Sequence, residues 1–306
     1  MEMPGTQNYL LDIHRDKYYD WARQKIIDEN DICEYSTWVK PGEYSCTLHQ
    51  KGFKIFIPKI DIDINDEYAV DDPYSVDLDD SAFHKARVES TLYLIGSIFG
   101  KDDRFRLLDV GCGRGYITDQ ICKTFPHSEL SALDYSVSAI DFAIENFKKI
   151  DFIVADAYNL PYTEGYFNII ICNNIWEHVP DPLNILKSIK RSLKQGGYLL
   201  ISTPSRYRIS SLIRILMRKP IQLISKMHIT EYSIGQLKEQ LKYGGFETVK
   251  IYGKKNYKII GIKQWVIYCI IKPFLKLLLT CIRLSPYMLE STVYILAKKE
   301  KYVSVK

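Results

Sequence analysis

Between residues 106 and 252 the apolar positions fall into two recurring patterns, short continuous runs and stripes with a period near 3.6. Arg106–Val110 predicts a short buried strand. From Tyr116 the stripe Ile117, Ile121, Cys122 predicts a helix with Asp119 and Gln120 on its outer side. Glu129–Leu133, Asp151–Ala155 and Tyr198–Thr203 read as strands, and Phe167–Asn173, too apolar for a one-sided strand, as a central one. Ser138–Lys149, Leu183–Leu193 and Ser233–Tyr243 read as helices, the second stopped by Gly196-Gly197 and the third by Gly244-Gly245. Phe246–Tyr252 and Ser291–Ala297 close the series as strands. This alternation predicts an α/β fold: a doubly wound, mostly parallel seven-stranded sheet with helices on both faces.

Residues 1–100 precede that core as an arm that reads as a cover or an interaction segment. Tyr9–Glu29, with Tyr18, Trp21 and Ile26, predicts a helix, and Tyr44–His49 with Phe53–Pro58 a hairpin around Gln50-Lys51-Gly52. Asp61–Asp80 is acidic loop; Ser81–Phe99 recovers a helical period through Phe83, Val88, Leu92, Leu94, Ile95 and Ile98. Residues 101–306 form the second unit, with hydrophobic helical inserts at 206–230 and 254–288. Within the first, Ile209–Met227 predicts two short helices divided by Pro220. Within the second, Ile259–Leu284 predicts a helix interrupted by Pro273. Lys272, Lys276 and Arg283 share one face of it, and Trp265, Ile270, Phe274 and other aliphatics cover the rest. No uncharged stretch there reaches the ~18 residues that span a bilayer.

Charge sharpens the picture of these inserts. The chain of 306 residues carries a net +4, but residues 206–306 hold 20 Lys+Arg against 5 Asp+Glu, a net +15, and residues 1–205 a net −11. A polyanionic neighbour for the last third follows from that imbalance. So many aliphatics fit an RNA or DNA surface poorly and fit a peripheral contact with an anionic membrane well. The alternative is a helix buried against its own domain or a homodimer partner. Seven cysteines without a Cys-x-x-Cys pair favour reduced thiols, and the first residues lack a basic-then-apolar signal pattern. Both point to a cytoplasmic protein, peripheral on the inner membrane face if the insert meets lipid.

The candidate chemistry starts at Leu107–Gly115, Leu-Leu-Asp-Val-Gly-Cys-Gly-Arg-Gly. A strand, a glycine turn and a helix start make a cradle where backbone can approach a nucleotide-like ligand. A dinucleotide fingerprint would place glycine at 116, where this chain has Tyr116. Asp109 at the strand tip can meet an amine. Asp134, 19 residues beyond Gly115, ends the second strand, where a carboxylate accepts both hydroxyls of a ribose. After the third strand, Asp156 can accept an adenine amino group while the backbone N–H of Ala157 meets a ring nitrogen. Asn173 ends the central strand and opens the run Asn-Asn-Ile-Trp-Glu-His-Val-Pro-Asp-Pro.

From Leu107 to Pro182 the chain resembles the class I S-adenosylmethionine-dependent methyltransferases, of the subfamily that includes the ubiquinone-biosynthesis and other small-molecule methyltransferases. More weakly the resemblance reaches Phe246. It implies S-adenosyl-L-methionine as cofactor, with Gly111–Gly113 facing its methionine part and Asp134 and Asp156 on ribose and adenine. Some quinone O-methyltransferases of the family hold a divalent metal with Glu-x-x-Glu-His; here Asn174 stands first, ahead of Glu177 and His178, so an anionic ligand is missing and no metal is expected. His178 is then a general base for a hydroxyl or part of a structural network, and His228 is a second base candidate or a plain loop histidine. The reading is a methyltransferase acting at oxygen on a small or lipid-linked acceptor. Its rivals are a soluble glycan or metabolite methyltransferase that dimerises through the insert, and a cofactor-binding scaffold without catalysis.

Overall fold

The computed structural model describes residues 10–12, 47–49, 51–56, 82–225, 228–254, 261–283, 285–287 and 289–300. The expectations for residues 13–29 and for Asp61–Asp80, Cys33 and Cys46 lie outside them. The apolar runs become strands of one sheet: β1 (Leu10–Asp12), β2 (Thr47–His49), β3 (Lys54–Ile55), β4 (Arg106–Val110), β5 (Glu129–Asp134), β6 (Asp151–Val154), β7 (Phe167–Asn173), β8 (Leu193–Pro204), β9 (Phe246–Lys254) and β10 (Thr292–Lys299). Their order is β1-β2-β3-β6-β5-β4-β7-β8-β10-β9. Seven of them, β6 to β9 in that order, form the predicted sheet, parallel except for β10, which runs antiparallel to both neighbours. β2 and β3 are the expected hairpin, and they extend the sheet beyond β6. Leu10–Asp12 pairs with β2 as a strand, so the helix expected from Tyr9 does not begin there.

Helices cover both faces: α1 (Ala82–Gly96), α2 (Tyr116–Thr124), α3 (Val137–Asn146), α4 (Pro182–Ser192), α5 (Ile209–Leu216) and α6 (Ile234–Tyr243). Alternation along β4 explains the two cores. Leu107 faces a cluster with Leu94 and Ile95 of α1, Ile117 and Ile121 of α2 and Ile140 of α3; Leu108 faces one with Ile185, Leu186 and Ile189 of α4 and Leu237 of α6. Ser233 caps α6 with a capping box to Gln236, and Asp181 caps α4 ahead of Pro182.

Four local expectations change. α4 ends at Ser192, and Gly196-Gly197 lie inside β8, where the pairing with β7 slips between Phe167 and Ile169. After Pro220 no second helix forms among the described residues; residues 220–225 are irregular. Pro273 does not interrupt its helix: α7 (Ile262–Val266), a π-turn (Ile267–Ile271) and α8 (Lys272–Cys281) run on continuously. The widened turn, where Lys272 N–H bonds Ile267 C=O, accommodates the missing N–H and the ring of Pro273.

The fourth change concerns the basic face. Lys272 is buried, its Nζ 2.6 Å from Glu290 Oε2, and Lys276 reaches the other oxygen of the same buried carboxylate. Two of the three aligned cations therefore dock the helix on the domain. What faces outward is aliphatic and aromatic: Ile262, Trp265, Ile270, Phe274, Leu277, Leu278 and Ile282 are all exposed. Among the described residues no helix is long and apolar enough to cross a membrane.

Candidate active site

The glycine turn is held shut by its own backbone. Gly111 and Cys112 N–H both donate to Leu133 C=O, and Gly113 N–H donates to Asp134 Oδ2 at 2.7 Å. Gly111, Gly113 and Gly115 all take positive φ, and a Cβ on Gly115 would lie 2.8 Å from the Phe152 ring. The other oxygen of Asp134 accepts Ser136 N–H at 3.0 Å, so the carboxylate is aimed by the backbone around it.

Beneath the turn lies a narrow cleft lined by residues that include His84, Arg87, Asp109, Gly111, Arg114 and Asn173. Asp109 is buried. Thr118 Oγ1 donates to its Oδ2 at 2.6 Å, while Oδ1 has no partner. Burial pushes its carboxyl up to about 7, against the pull of the Thr118 hydrogen bond and of Arg87, and with a small push from Asp134. Asn173 is held by Ser202 Oγ, 2.9 Å from its Oδ1, and its Nδ2 is buried without a partner. Arg87 Nη2 approaches the Asn173 carbonyl at 3.5 Å. Burial, with help from Arg87, pushes His84 down to about 4. The Cys112 thiol is held well above its ordinary range by burial and by Asp134 and Asp109, so it is no nucleophile.

Asp109, Gly111 and Asn173 thus meet in one cleft. Asp134 ends β5, the next strand, beside the turn. Asp156 and Ala157 follow β6, one strand further, half-buried and outside the cleft lining, with Asp156 Oδ1 accepting Tyr158 N–H at 2.9 Å. The strands are adjacent in the order β4-β5-β6, so these stations step along the sheet's carboxyl edge at about 5 Å per strand. A ligand with a cationic and polar head at Asp109 and a nucleoside towards Asp156 fits this row, since the orphaned Oδ1 and Nδ2 sit at the head end.

Residues 174–178 form a turn, not the helix that would align Asn174, Glu177 and His178. Asn174 takes the left-handed region (φ 58°), which asparagine tolerates, and still donates to Glu177 Oε1 at 2.9 Å. Thr203 Oγ1 donates to the other oxygen at 2.9 Å. The buried Glu177 is therefore a structural tie for this loop. His178 is exposed, and the structure places its ring edge to face against His228, centroids 4.9 Å apart. Donor atoms of Glu177, His178 and His228 lie within 4.8 Å of one another, a spacing a cation could use. The same turn touches the cleft beneath the glycines: a Cβ on Gly111 would strike Ile175 Cδ1 at 2.5 Å.

Arg87 and His84 were not legible as site residues. Of the predicted stripe Phe83 is exposed, while Val88, Leu92 and Ile98 pack with the buried Leu94 and Ile95, and Arg87, Ser90 and Thr91 are buried on the same helix. A polar run continuous with an apolar helix face was the available signal.

Residues 101–259, just over half of the chain, match the family described as "Methyltransferase domain". The chain belongs to this family, and with its turn, strand-end acids and sheet order it is a class I S-adenosylmethionine-dependent methyltransferase. It is 31% identical over 121 residues to malonyl-[acyl-carrier protein] O-methyltransferase of Bacillus cereus, covering 39% of this chain and 45% of that one. It is 32% identical over 106 residues to ubiquinone biosynthesis O-methyltransferase of Xanthomonas oryzae pv. oryzae, covering 33% and 44%. The chain thus spans under half the length of these relatives. Phosphoethanolamine N-methyltransferase 2 of Haemonchus contortus, solved with S-adenosyl-L-methionine, shares the fold at 17% identity and a TM-score of 0.53, over 81% of this chain and 62% of that one.

Proposed function

We propose that the chain methylates a hydroxyl oxygen of a small or lipid-linked acceptor at a membrane surface. The observation that carries the reading is the edge-to-face pair of imidazoles: His178, on the turn whose Ile175 packs against Gly111, and His228, brought to it by the connection before α6. Bound S-adenosylmethionine supplies a methyl group on a sulfonium, so positioning and exclusion of water provide most of the rate. Asp109 Oδ1 takes the ammonium of its methionine part, and Arg87 its carboxylate. Asp134 and Asp156 hold ribose and adenine, the latter with Ala157 N–H. A histidine of the pair takes the hydroxyl proton. Helix α1, by lending His84 and Arg87, makes the end of the 1–100 arm a cover over the cofactor. Oxygen as the methylated atom is supported by the likeness to the two O-methyltransferases.

The membrane is supported by the exposed face Trp265, Ile270, Phe274 and Leu277 and by the exposed Ile215, Leu216 and Met217 of the first insert, both in the third of the chain that carries +15. Because Glu290 draws two of the lysines toward the domain, the apolar outward face also suits a dimer seam. Incubation with methyl-labelled cofactor and a membrane-lipid extract should label the lipid fraction, and label confined to a polar-metabolite extract sinks the lipid acceptor. Prior chelation should leave turnover unchanged; its loss would assign Glu177, His178 and His228 to a metal. In flotation, the protein should rise with anionic vesicles and less with neutral ones, and the W265S/I270S/F274S variant should stay down while binding cofactor normally. A stable dimer that never floats, split by those changes, favours the soluble reading.

A further inference from the structure

We propose that Glu231 is the positioning residue of this site: its buried carboxylate holds Nδ1–H of His228 and presents the Nε2 of that ring as the proton acceptor. The proposal rests on the methyl-transfer reading above and names which of the two histidines is the base.

Glu231 is buried at 1% exposure, in a connection that has no regular structure from Met217 to Tyr232 among its described residues. A buried carboxylate is costly unless its lone pairs are filled. Here Ile224 N–H donates to Oε1 at 2.6 Å, His228 Nδ1 lies 3.2 Å from the same oxygen, and the Arg208 guanidinium bonds Oε2. Arg208 also donates to Ser205 C=O at 3.1 Å and Gln222 C=O at 2.5 Å. The whole connection from β8 to α6 therefore closes on one carboxylate. Burial alone would raise that carboxyl; the bonds from His228, Ile224 and Arg208 outweigh it and hold it below the ordinary range, hence ionised.

An ionised carboxylate can only accept. The hydrogen between it and the ring then belongs to Nδ1, which leaves the lone pair on Nε2. Carboxylate-oriented imidazoles act this way wherever a base needs a fixed tautomer. The groups that face the ring are Glu231 from its own connection, with Arg208 behind it, and Glu177 and His178 from the turn after β7. His178 is exposed and its ring makes no hydrogen bond among the described residues, so nothing fixes its tautomer. In the step, the acceptor oxygen gains the methyl carbon as the C–S bond breaks with its pair left on sulfur, and the hydroxyl proton passes to Nε2. The imidazolium so formed lies against a carboxylate already in place.

The test reads the tautomer first. On the full chain with 15N-labelled histidine and S-adenosylhomocysteine, long-range 15N–1H correlation spectra should show His228, assigned against His228→Gln, as the Nδ1–H form at neutral pH. An Nε2–H ring, or a doubly protonated one, overturns the proposal. Glu231→Gln, which keeps shape and loses charge, should lower kcat on the labelled acceptor by about 10- to 10²-fold with KM for the cofactor unchanged. Unchanged kcat in the folded variant overturns it too. If Glu231→Gln fails to fold, the wild-type tautomer still decides. A wild type with the Nδ1–H ring and no turnover on any hydroxyl acceptor defeats the methyl-transfer reading, and with it His228 as base, while the carboxylate–ring geometry stands.

Discussion

Asp109→Asn probes the cofactor cleft in two directions at once. Burial holds the Asp109 carboxyl up to about 7 in the folded chain, against an ordinary 3.8. The folded-state value is the raised one, so the stability it contributes is complete below about pH 4 and is lost as pH rises through 7. At 1.36 kcal/mol per pH unit, the interval between 3.8 and 7 amounts to about 4 kcal/mol, an order-of-magnitude figure. Asparagine is neutral and its amide oxygen still accepts the Thr118 hydroxyl. At pH 8 the variant should therefore melt higher than the wild type, and the gap should narrow as pH falls and close only near pH 4, where Asp109 is protonated in the unfolded chain as well. Binding should move the other way. A hydrogen bond from the cofactor's ammonium to an ionised Oδ1 contributes about 1.5–3 kcal/mol, so Asp109→Asn should weaken S-adenosylmethionine by about 10- to 100-fold at pH 8. Wild-type affinity should also fall about tenfold per pH unit below 7, as the proton competes with the ammonium. Differential scanning calorimetry at pH 4 and 8 and titration calorimetry between pH 5 and 8 give both numbers. A variant that melts lower at pH 8, or that binds the cofactor as tightly as the wild type, refutes the assignment.

Three further expectations follow from single contacts. Arg87→Met should keep the fold and weaken cofactor binding at least about tenfold, by titration calorimetry, because the guanidinium that lines the cleft is gone. Gly115→Ala should cost about 2–4 kcal/mol in denaturant unfolding, from its left-handed φ of 80° and the 2.8 Å approach to the Phe152 ring. Glu290→Ala strips the counter-charge from Lys272 and Lys276 and should cost about 3–5 kcal/mol, with amide exchange rising first in α7 and α8.

The sheet and the cofactor row were legible because their signals are local. Each core strand is a continuous apolar run, each strand-end acid stands at a fixed offset from a glycine or an apolar block, and the glycines at 111, 113 and 115 answer a local need for positive φ. Pattern also located both hydrophobic inserts. It failed where a neighbour in space decides what a residue does. The stripe of α1 was read from Phe83 to Ile98, but Phe83 faces outward and packing turned Arg87, Ser90 and Thr91 inward, where the cleft beside β4 and β7 offers polar partners. The lysines of the last helix looked like a solvent strip until Glu290, eighteen residues past Lys272, drew them into the domain. Pro273 read as a break, and a π-turn one residue upstream absorbed it. His178 and His228 stand fifty residues apart, and Glu231 carried no motif. Only the closing of the β8–α6 connection on the Arg208–Glu231 pair brought a carboxylate to one imidazole and the second imidazole to its edge. Periodicity and spacing record what the backbone needs along the chain; the partner of a buried charge is chosen by the fold, since desolvation makes it bind whichever complementary group the fold places within reach.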